Sequence, residues 1–355
     1  MQPPTNQPLK VALIVREGSK FPRSSAFIRL ISPLTSSPSK KQVSLMLIDG
    51  KKPDIQDDVN VVVVQRTAID NKKAAQELVN QLKGKHAKLV VDSDDAFAHI
   101  SESHPEFEVQ SKRIEAYEYL LESANQIWLS VAPLVQDKFR AKSIVIPNSL
   151  DKKLWQPDKP KNTKTIKQSS PLKLLYMGTA THDSDFNMIL PALDELNQKH
   201  PKSFKLTVIG VSQDLPDRDW IKRLYTPRFG ALYPTFVKWF KRQGPFDIGL
   251  APLVDSSFNG GKSDIKCLDY IALGALPVVS DVLAYQGKEL DGLIIKLDNS
   301  QQAWFEYLSS VVADRPAFRA EKARVIAKGQ KYIWDKRSSQ STAKKILMQL
   351  EDLAS

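Results

Sequence analysis

Residues 246–285 read FDIGLAPLVDSSFNGGKSDIKCLDYIALGALPVVSDVLAY. An apolar strand, FDIGLAPL, leads into a polar loop with two adjacent glycines, and a helical pattern follows before the apolar strand LPVVS. Two strands joined through a helix form a parallel pair, because parallel strands need a long crossover connection. This stretch therefore predicts an α/β fold built on a parallel sheet.

The same rhythm of short β-branched runs and helical patterns extends in both directions, as doubly wound sheets require. Strands are predicted at residues 11–15, 43–48, 61–64, 89–91, 127–130 and 143–146, and then at 173–177, 205–209, 248–251, 276–280 and 293–295. A Lys-, Pro- and Ser-rich stretch separates the two groups. We therefore expect an N-terminal Rossmann-like domain (1–155), a linker (156–171), a C-terminal Rossmann-like domain (172–335) and a C-terminal helix (336–355) that packs back on the first domain.

Composition narrows the class of protein. A chain of 355 residues corresponds to about two domains, and 42 % hydrophobic residues are ordinary for a globular protein. The single cysteine, Cys267, excludes an intramolecular disulfide. A net charge of +11 favours anionic partners. The sequence shows neither a signal-peptide pattern nor an apolar run of about 18 residues, so we expect a cytoplasmic protein that does not span a membrane.

Two common nucleotide-binding fingerprints are missing. No G-x-G-x-x-G follows the first strand of either predicted domain, which disfavours a nicotinamide enzyme. Gly260-Gly261-Lys262-Ser263 matches the end of a Walker sequence but lacks its first glycine and its preceding strand.

The loop and helix of the quoted stretch carry a candidate phosphate and hydroxyl site. Lys262 and Lys266 are four residues apart and Asp269 follows three residues later, so we expect all three on one helix face. Two ammonium groups and the loop amides at a helix N-terminus suit a diphosphate, and a carboxylate suits vicinal ribose hydroxyls. A solvated helix face with ion pairs explains the same spacing equally well. The loop residues of this candidate site are Asn259, Gly260, Gly261 and Ser263.

Taken together, FDIGLAPL, the two lysines and LDYIALGALPVVS resemble the donor-binding region of GT-B glycosyltransferases, particularly bacterial glycosyltransferase family 4. Three further segments extend the resemblance over nearly the whole chain: YMGT at 176–179, VVDSDDAF at 90–97 and IVIPNSLDKKLW at 144–155. The resemblance implies GT-B architecture, with two facing Rossmann-like domains and an inter-domain cleft. It also implies a nucleoside-diphosphate sugar donor on the C-terminal domain, an acceptor on the N-terminal domain, and metal-independent transfer with retention of configuration.

The resemblance also implies roles for individual residues. Asp269 corresponds to the last acid of the family's E-x7-E motif, which binds the donor ribose, while Lys262 and Lys266 face the diphosphate or the sugar. Gly178 and Thr179 offer donors to the phosphates. His182 is a candidate catalytic residue, because it follows the Gly-Thr turn where family members approach the donor phosphate. The sequence departs from the family at Gly261, where the first glutamate of the motif is expected, and in the first loop, where only Gly18 stands for a glycine pair. The missing glutamate leaves the sugar contact absent or supplied by Asp255 or Asp264.

Asp92, Asp94 and Asp95 follow a predicted strand, at the edge where α/β domains hold functional side chains. These carboxylates are candidates for binding the acceptor hydroxyls or for acting as general base. Acidic capping of a helix N-terminus explains them equally well, and Asp92-Ser93-Asp94 also spells a D-x-D metal motif. Arg16 and Arg29 flank the first strand and its helix, where they either bind a phosphate-bearing acceptor or face solvent.

A basic, aromatic stretch, WIKRLYTPRFGALYPTFVKWFKR at 220–242, predicts one strand and one helix, or else a membrane-surface patch. We therefore expect a cytoplasmic glycosyltransferase of bacterial cell-envelope polysaccharide synthesis, peripheral at the inner membrane. It would transfer a hexose-like sugar to a glycan or lipid-linked acceptor, without cofactor, metal or nucleic acid. The alternatives are a non-catalytic GT-B partner subunit that stabilises an active transferase, and a nucleotide-sugar epimerase or hydrolase.

Overall fold

The computed structural model describes residues 7–16, 22, 24–37, 39–100, 102, 106–156, 170–178, 183–210, 217–227, 230 and 232–355. Its contacts divide the chain into two compact units. Unit 1 comprises Met1–Asp151, Gly261–Ser263 and Asp335–Ser355, and unit 2 comprises Lys152–Gly260 and Asp264–Trp334.

The strands are β1 (Leu9–Val15), β2 (Val43–Asp49), β3 (Val61–Gln65), β4 (Lys88–Ser93), β5 (Gln126–Leu129), β6 (Ser143–Val145), β7 (Leu172–Met177), β8 (Phe204–Ile209), β9 (Ile221–Leu224), β10 (Ile248–Ala251), β11 (Leu276–Ser280) and β12 (Ile295–Leu297). The helices are α1 (Ser24–Ala26), α2 (Ser32–Thr35), α3 (Lys72–Lys85), α4 (Phe107–Ser123), α5 (Lys152–Trp155), α6 (Asp183–Lys199), α7 (Tyr233–Lys241), α8 (Ser257–Gly260), α9 (Ile265–Leu273), α10 (Gln301–Ala313), α11 (Arg315–Lys336) and α12 (Ser339–Ala354). A π-helical turn, Phe27–Ile31, joins α1 to α2.

Unit 1 is built on a six-stranded sheet in the order β2-β1-β3-β4-β5-β6, with every pair parallel. Side chains alternate between its faces, as the pleat requires. Val62 and Val64 pack with α3 and α4, whereas Val63 packs with Leu30 and with Ile346 of α12. β2 lies on one side of β1, and β3 and the later strands lie on the other side. The topological switch point of this sheet is therefore between β1 and β3.

Unit 2 has a second all-parallel sheet in the order β12-β11-β10-β7-β8-β9. Helices α6, α10 and α11 contribute to its core, where Phe186, Trp304 and Phe318 pack with the strands. The switch point lies between β7 and β10, since the strand order reverses there. The predicted doubly wound α/β fold is confirmed in both sheets.

Some boundaries differ from the sequence prediction. The last strand covers Ile295–Leu297, not 293–295, because Ile295 pairs with Val278. Contacts divide the chain at Asp151 rather than at 155. The reason is Trp155, which packs edge-on against Phe240 and donates a 3.2 Å hydrogen bond to the Tyr233 hydroxyl within unit 2. Most of the expected linker lies outside the described residues.

Helix α9 begins at Ile265, so Lys262 precedes it. The expectation that Lys262 and Lys266 share one helix face is therefore wrong. The residues between α8 and α9 are not helical, and residues 261–263 belong with unit 1.

The described helices include none with the length and apolar character needed to cross a membrane.

Candidate functional site

Two glycines stand side by side at the carboxyl edge of the unit 2 sheet. Gly178 follows β7 and Gly210 follows β8, and the strands are in register there because Met177 pairs with Ile209. Gly210 has a φ of +77°, and a Cβ on it would collide with the Gly178 carbonyl oxygen. Any other residue at position 210 would clash with this oxygen and would be strained at this φ, so the position requires glycine. Sequence reasoning singled out Gly178 but missed Gly210, whose signal is a glycine directly after a predicted strand.

Tyr270 of α9 joins the two strands at the switch point of unit 2. Its hydroxyl accepts a 3.1 Å hydrogen bond from the Met177 amide of β7 and donates a 2.9 Å hydrogen bond to the Leu250 carbonyl of β10. Its ring lies against Gly249, where any Cβ would overlap it. Helix α9 is thereby fixed to the strand ends that flank the candidate site.

Side chains from several elements hold the loop after β10. The Val254 amide donates to the buried Asp185 carboxylate at 2.7 Å, and the Leu253 amide donates to Ser280 Oγ at 2.8 Å. Asn259 Nδ2 donates to the Val254 carbonyl at 2.8 Å. Asn259 therefore orders this loop, while Gly260 closes α8 beside Leu283.

Asp269 is a buried carboxylate with an unmatched oxygen. The residue is 7 % exposed, and its Oδ1 finds no hydrogen-bond partner among the described residues. Burial raises the pKa of Asp269 well above its usual value, although the Lys266 ammonium acts in the opposite direction. Lys266 extends across the Tyr176 ring, with Nζ 5.6 Å from the ring centroid. An orphaned buried acceptor is costly unless a ligand supplies the donor.

In unit 1, Asp92 is already engaged by Arg29. Arg29 Nη2 lies 2.6 Å from Asp92 Oδ1, and Nε lies 2.9 Å from both carboxylate oxygens. Arg29 Nη1 also donates to the Ile146 carbonyl at 2.9 Å and to Asn148 Oδ1 at 3.1 Å. Burial lowers the pKa of Arg29, but Asp92 outweighs it and holds that pKa above its usual value. Both side chains are 1 % exposed, so this pair is an internal strut rather than an open ligand site.

Asp94 and Asp95 belong to a second charged group, which we call the Arg66 cluster: Arg66, Asp94, Asp95 and Lys262. Arg66 Nε lies 3.2 Å from Asp94 Oδ1, and Arg66 Nη2 pairs with Asp95 Oδ2. Lys262 Nζ donates to Asp95 Oδ1 at 2.7 Å. Arg66 was not predicted from the sequence, and Lys262 was expected with Lys266 rather than with Asp95.

Gly261 and Ser263 hold the segment that carries Lys262 against unit 1. A Cβ on Gly261 would lie 2.7 Å from Ala96 Cβ and from Leu134 Cδ2. Asn148 Nδ2 donates to Ser263 Oγ at 2.7 Å. The absence of a side chain at 261 is therefore required by packing, which gives a physical reason why glycine rather than glutamate stands at this position.

The remaining candidates are less informative. Arg16 directly follows β1. Gly18, Thr179 and His182 lie outside the described residues. Within the part of the chain that the structure describes, no three His, Cys, Asp or Glu side chains are grouped to hold a metal ion. In the D-x-D spelling, Asp92 is instead bound by Arg29.

Comparison with known proteins identifies the fold. No family model matches the chain, and no curated protein matches it by sequence. Among solved structures, Anabaena HepE in complex with UDP-glucose superposes with a TM-score of 0.65 at 9 % identity, over 97 % of this chain and 100 % of that one. The pneumococcal O-GlcNAc transferase GtfA, in complex with UDP and GlcNAc, gives a TM-score of 0.53 at 14 % identity. The alignment with GtfA covers 82 % of this chain, which spans 56 % of the GtfA chain.

A putative UDP-N-acetylglucosamine 2-epimerase from Listeria monocytogenes is also similar, with a TM-score of 0.55 and 10 % identity over 98 % of this chain and 96 % of that one. The two parallel sheets and these likenesses define the class: the chain has the GT-B fold of nucleotide-sugar glycosyltransferases. That fold confirms the fold class expected from the sequence.

Proposed function

We propose that this protein is a glycosyltransferase that takes its sugar from a nucleoside-diphosphate donor. The observation that carries the proposal is Asp269, a buried carboxylate with an unmatched oxygen on the helix that borders the switch point of unit 2. Ribose hydroxyls supply the donors that this oxygen lacks. Lys266, beside Asp269, supplies positive charge for the diphosphate.

The strand ends of unit 2 support the same role. Gly178 carries no side chain, so a phosphate group can approach the end of β7 closely, while the Gly178 amide itself donates to the Ile209 carbonyl at 3.1 Å. We assign Gly178 and Thr179 to the phosphates, together with Gly260 and the N-terminus of α9. Negative charge develops on the diphosphate as it leaves, and these groups stabilise it. Because HepE and GtfA are described with UDP or UDP-sugar, we infer a UDP-sugar donor.

On unit 1, we assign Asp94 to the acceptor. Asp92 is taken up by Arg29, and Asp95 is shared between Arg66 and Lys262. Asp94 is 15 % exposed, and its Oδ1 makes no hydrogen bond of good geometry. Its carboxylate orients the acceptor hydroxyl. In the reaction, the acceptor oxygen bonds to the anomeric carbon, the bond from that carbon to the diphosphate breaks, and the hydroxyl proton passes to the Asp94 carboxylate.

We extend the proposal to glycosyltransferase family 4, to retention of configuration, and to a glycan or lipid-linked acceptor in bacterial cell-envelope polysaccharide synthesis. The sequence resemblance supports these assignments, and family members of this kind need no metal ion. Peripheral binding to an anionic membrane is supported by α7, which carries the exposed Lys238 beside the partly buried aromatic rings of Phe236 and Trp239.

Nucleotide binding tests the proposal first. Thermal unfolding is measured with UDP, GDP, dTDP, CMP and ADP, and the expected result is stabilisation by UDP. A ligand at 100 times its dissociation constant stabilises a protein by about 2.7 kcal/mol, which raises the midpoint by several degrees. Stabilisation that persists in the Asp269→Ala variant would contradict the assigned site.

Turnover then separates the transferase from its two alternatives. UDP-glucose and UDP-N-acetylglucosamine are incubated with the protein, and released UDP and the fate of the sugar are followed. A transferase releases UDP, whereas an epimerase, the second candidate that the Listeria structure favours, changes the sugar while it stays on UDP. Stable complex formation with a transferase, without nucleotide binding or turnover, would favour the partner subunit instead.

A further inference from the structure

Arg66 occupies a distinctive position in unit 1. It follows β3 directly, and β1 and β3 flank the topological switch point of the sheet. In open α/β sheets, ligands bind outside the carboxyl ends of the strands at this point. The Arg66 side chain thus starts at the edge of the sheet where a substrate is expected.

The backbone of Arg66 is strained. Its φ is +56°, and Arg66, His86 and Lys202 are the three non-glycine residues with positive φ in the described part of the chain. His86 caps the end of α3 and Lys202 lies in the turn after α6, so both have a local reason. Arg66 lies at a strand end, where its amide donates to the Asp92 carbonyl at 2.7 Å. Strain of this kind persists where surrounding contacts over-determine it, and it concentrates at functional sites.

The Arg66 guanidinium is fixed on several sides. It contacts Asp94 and Asp95, and its Cζ lies 4.8 Å from the centre of the Phe97 ring. Nη1 lies 3.4 Å from Ser25 Oγ. Burial lowers the pKa of Arg66, but the two carboxylates outweigh it and hold that pKa above its usual value, so the group keeps its charge.

We propose that Arg66 is a positioning residue of the transfer reaction, which holds the Asp94 carboxylate at the switch point to receive the hydrogen bond of the acceptor hydroxyl. This inference rests on the proposed function and deepens its acceptor side. Arg66 acts through Asp94 and does not touch the reacting atoms. The strained backbone aims the guanidinium at Asp94, and the stack on Phe97 and the pair with Asp95 stop it from moving away.

The charges around Asp94 make the role measurable. Asp94 faces Arg66, Asp95, Arg29 and Asp92, with Lys262 behind Asp95. Burial raises the pKa of Asp94, and the Arg66 charge lowers it in part. Loss of the charge at position 66 therefore moves ionisation of Asp94 to higher pH. A residue that only supported the fold would leave the pH profile of the reaction in place.

The experiment compares Arg66→Gln, Arg66→Lys and wild type in UDP release from UDP-glucose and UDP-N-acetylglucosamine, with water as the acceptor, over a pH series. Arg218→Gln is the matched control, because it removes another arginine paired with an aspartate, Asp194, on unit 2. UDP binding by calorimetry and thermal unfolding are measured for every variant. Arg66→Lys keeps the charge, and it supplies the comparison if Arg66→Gln is poorly folded.

We expect Arg66→Gln to release UDP about 100-fold more slowly, the loss that a misplacement of about 1 Å can cause. The acidic limb of its pH–rate profile moves up by about one pH unit or more, because the positive charge next to the Asp94 carboxylate is lost. In Arg66→Lys the rate falls while the limb stays near wild type. UDP affinity is unchanged in both variants, and the Arg218→Gln control keeps the wild-type rate and limb.

If Arg66→Gln folds and keeps the wild-type rate and limb, Arg66 only supports the fold and the inference is wrong. An Arg66→Lys limb that moves as far as that of Arg66→Gln also contradicts it, since the charge would then not be the cause. A wild-type chain that binds UDP and releases none from either donor overturns the inference, because no reaction exists to position. A chain that does not bind UDP either overturns the proposed donor assignment with it.

Discussion

The Met177 amide donates a 3.1 Å hydrogen bond to the Tyr270 hydroxyl, which in turn donates a 2.9 Å hydrogen bond to the Leu250 carbonyl. One phenol thus ties the ends of β7 and β10 to α9. Burial raises the pKa of Tyr270 far above its usual value, so the hydroxyl keeps its proton and remains a donor. The position of Gly178, the next residue after Met177, depends on this link.

Tyr270→Phe should destabilise the protein by about 1–3 kcal/mol, because the variant leaves buried backbone groups without a partner. UDP affinity should also fall, since the end of β7 loses its anchor. Denaturant unfolding and calorimetry measure the two effects. Tyr233→Phe is the matched control: Tyr233 is also a buried phenol of unit 2, but it lies on α7, where its hydroxyl accepts a hydrogen bond from Trp155. Equal losses of UDP affinity in both variants would contradict a specific role for Tyr270.

Asp269→Asn should stabilise the free protein at neutral pH. The pKa of Asp269 is raised in the folded state, so the folded protein binds more protons than the unfolded one above the ordinary carboxyl pKa. Stability therefore falls as pH rises through that window, and a side chain that cannot ionise avoids the loss. The melting temperature of the variant should exceed that of wild type at about pH 8, and the two should converge towards about pH 4.

The same variant should bind UDP more weakly, because it loses the carboxylate that we propose as the partner of the ribose hydroxyls. Asp194→Asn serves as the control, since its carboxylate pairs with Arg218 and is 39 % exposed. It should show no gain in melting temperature at high pH. An Asp269→Asn melting curve that falls below wild type across the pH range would contradict the buried, unmatched carboxylate.

Lys262→Met and Lys266→Met should differ in nucleotide binding. Lys262 is held by Asp95 within unit 1, whereas Lys266 lies beside Asp269. A hydrogen bond to a charged group contributes about 1.5–3 kcal/mol, so loss of Lys266 should weaken UDP binding roughly 10- to 100-fold. Lys262→Met should keep wild-type affinity in isothermal titration. Equal weakening in both variants would mean that Lys262 leaves Asp95 to reach the diphosphate.

Gly261→Ala should destabilise the protein by about 1–3 kcal/mol, because its Cβ would lie 2.7 Å from the Ala96 and Leu134 side chains. Gly84→Ala is the control: Gly84 lies in α3 with nothing within 4 Å of its Cβ position. That change should stabilise by up to about 1 kcal/mol, as expected for alanine in a helix. Chemical denaturation gives both values, and a neutral Gly261→Ala would show that the loop moves without cost.

Arg29→Met should cost about 3–5 kcal/mol, because it leaves Asp92 charged and buried without its partner. The double variant Arg29→Met/Asp92→Leu should recover most of that loss, since it removes both charges. A double-mutant cycle in urea measures the coupling. Failure of the second substitution to restore stability would show that Asp92 has another partner of equal weight.

Features that depend on local sequence pattern could be predicted, whereas features that depend on tertiary packing could not. Residues 61–64 of β3 form a continuous apolar run, and local patterns of this kind were enough to find the strands and the parallel sheets. The Arg66 cluster was not found, because it depends on residues far apart in the chain. No motif or spacing in the sequence singles out Arg66. Its left-handed backbone and its contact with Asp94 arise only from tertiary packing.

The prediction for Lys262 and Lys266 was wrong for a related reason. Regular spacing suggested one helix that carried Lys262 and Lys266, but α9 starts at Ile265. Residues 261–264 are not helical, so the four-residue spacing of the two lysines does not correspond to one turn of a helix. Asp269 was a candidate from the sequence, yet its unmatched oxygen could not be predicted, since burial is a property of the folded chain.

Helix α12 has a consequence for synthesis of the chain. Ser339, at its start, lies 2.8 Å from Ser32 across 307 positions, and Ile346 and Leu350 share a core with Leu13 and Leu34. A ribosome releases the N-terminal strands long before it delivers this helix. During that interval one face of the first sheet lacks the apolar contacts of α12. Unit 2 can therefore complete its folding before unit 1 does. Contacts between residues so far apart in the chain slow folding. We therefore expect chaperones to bind the exposed apolar face of this sheet in the nascent chain.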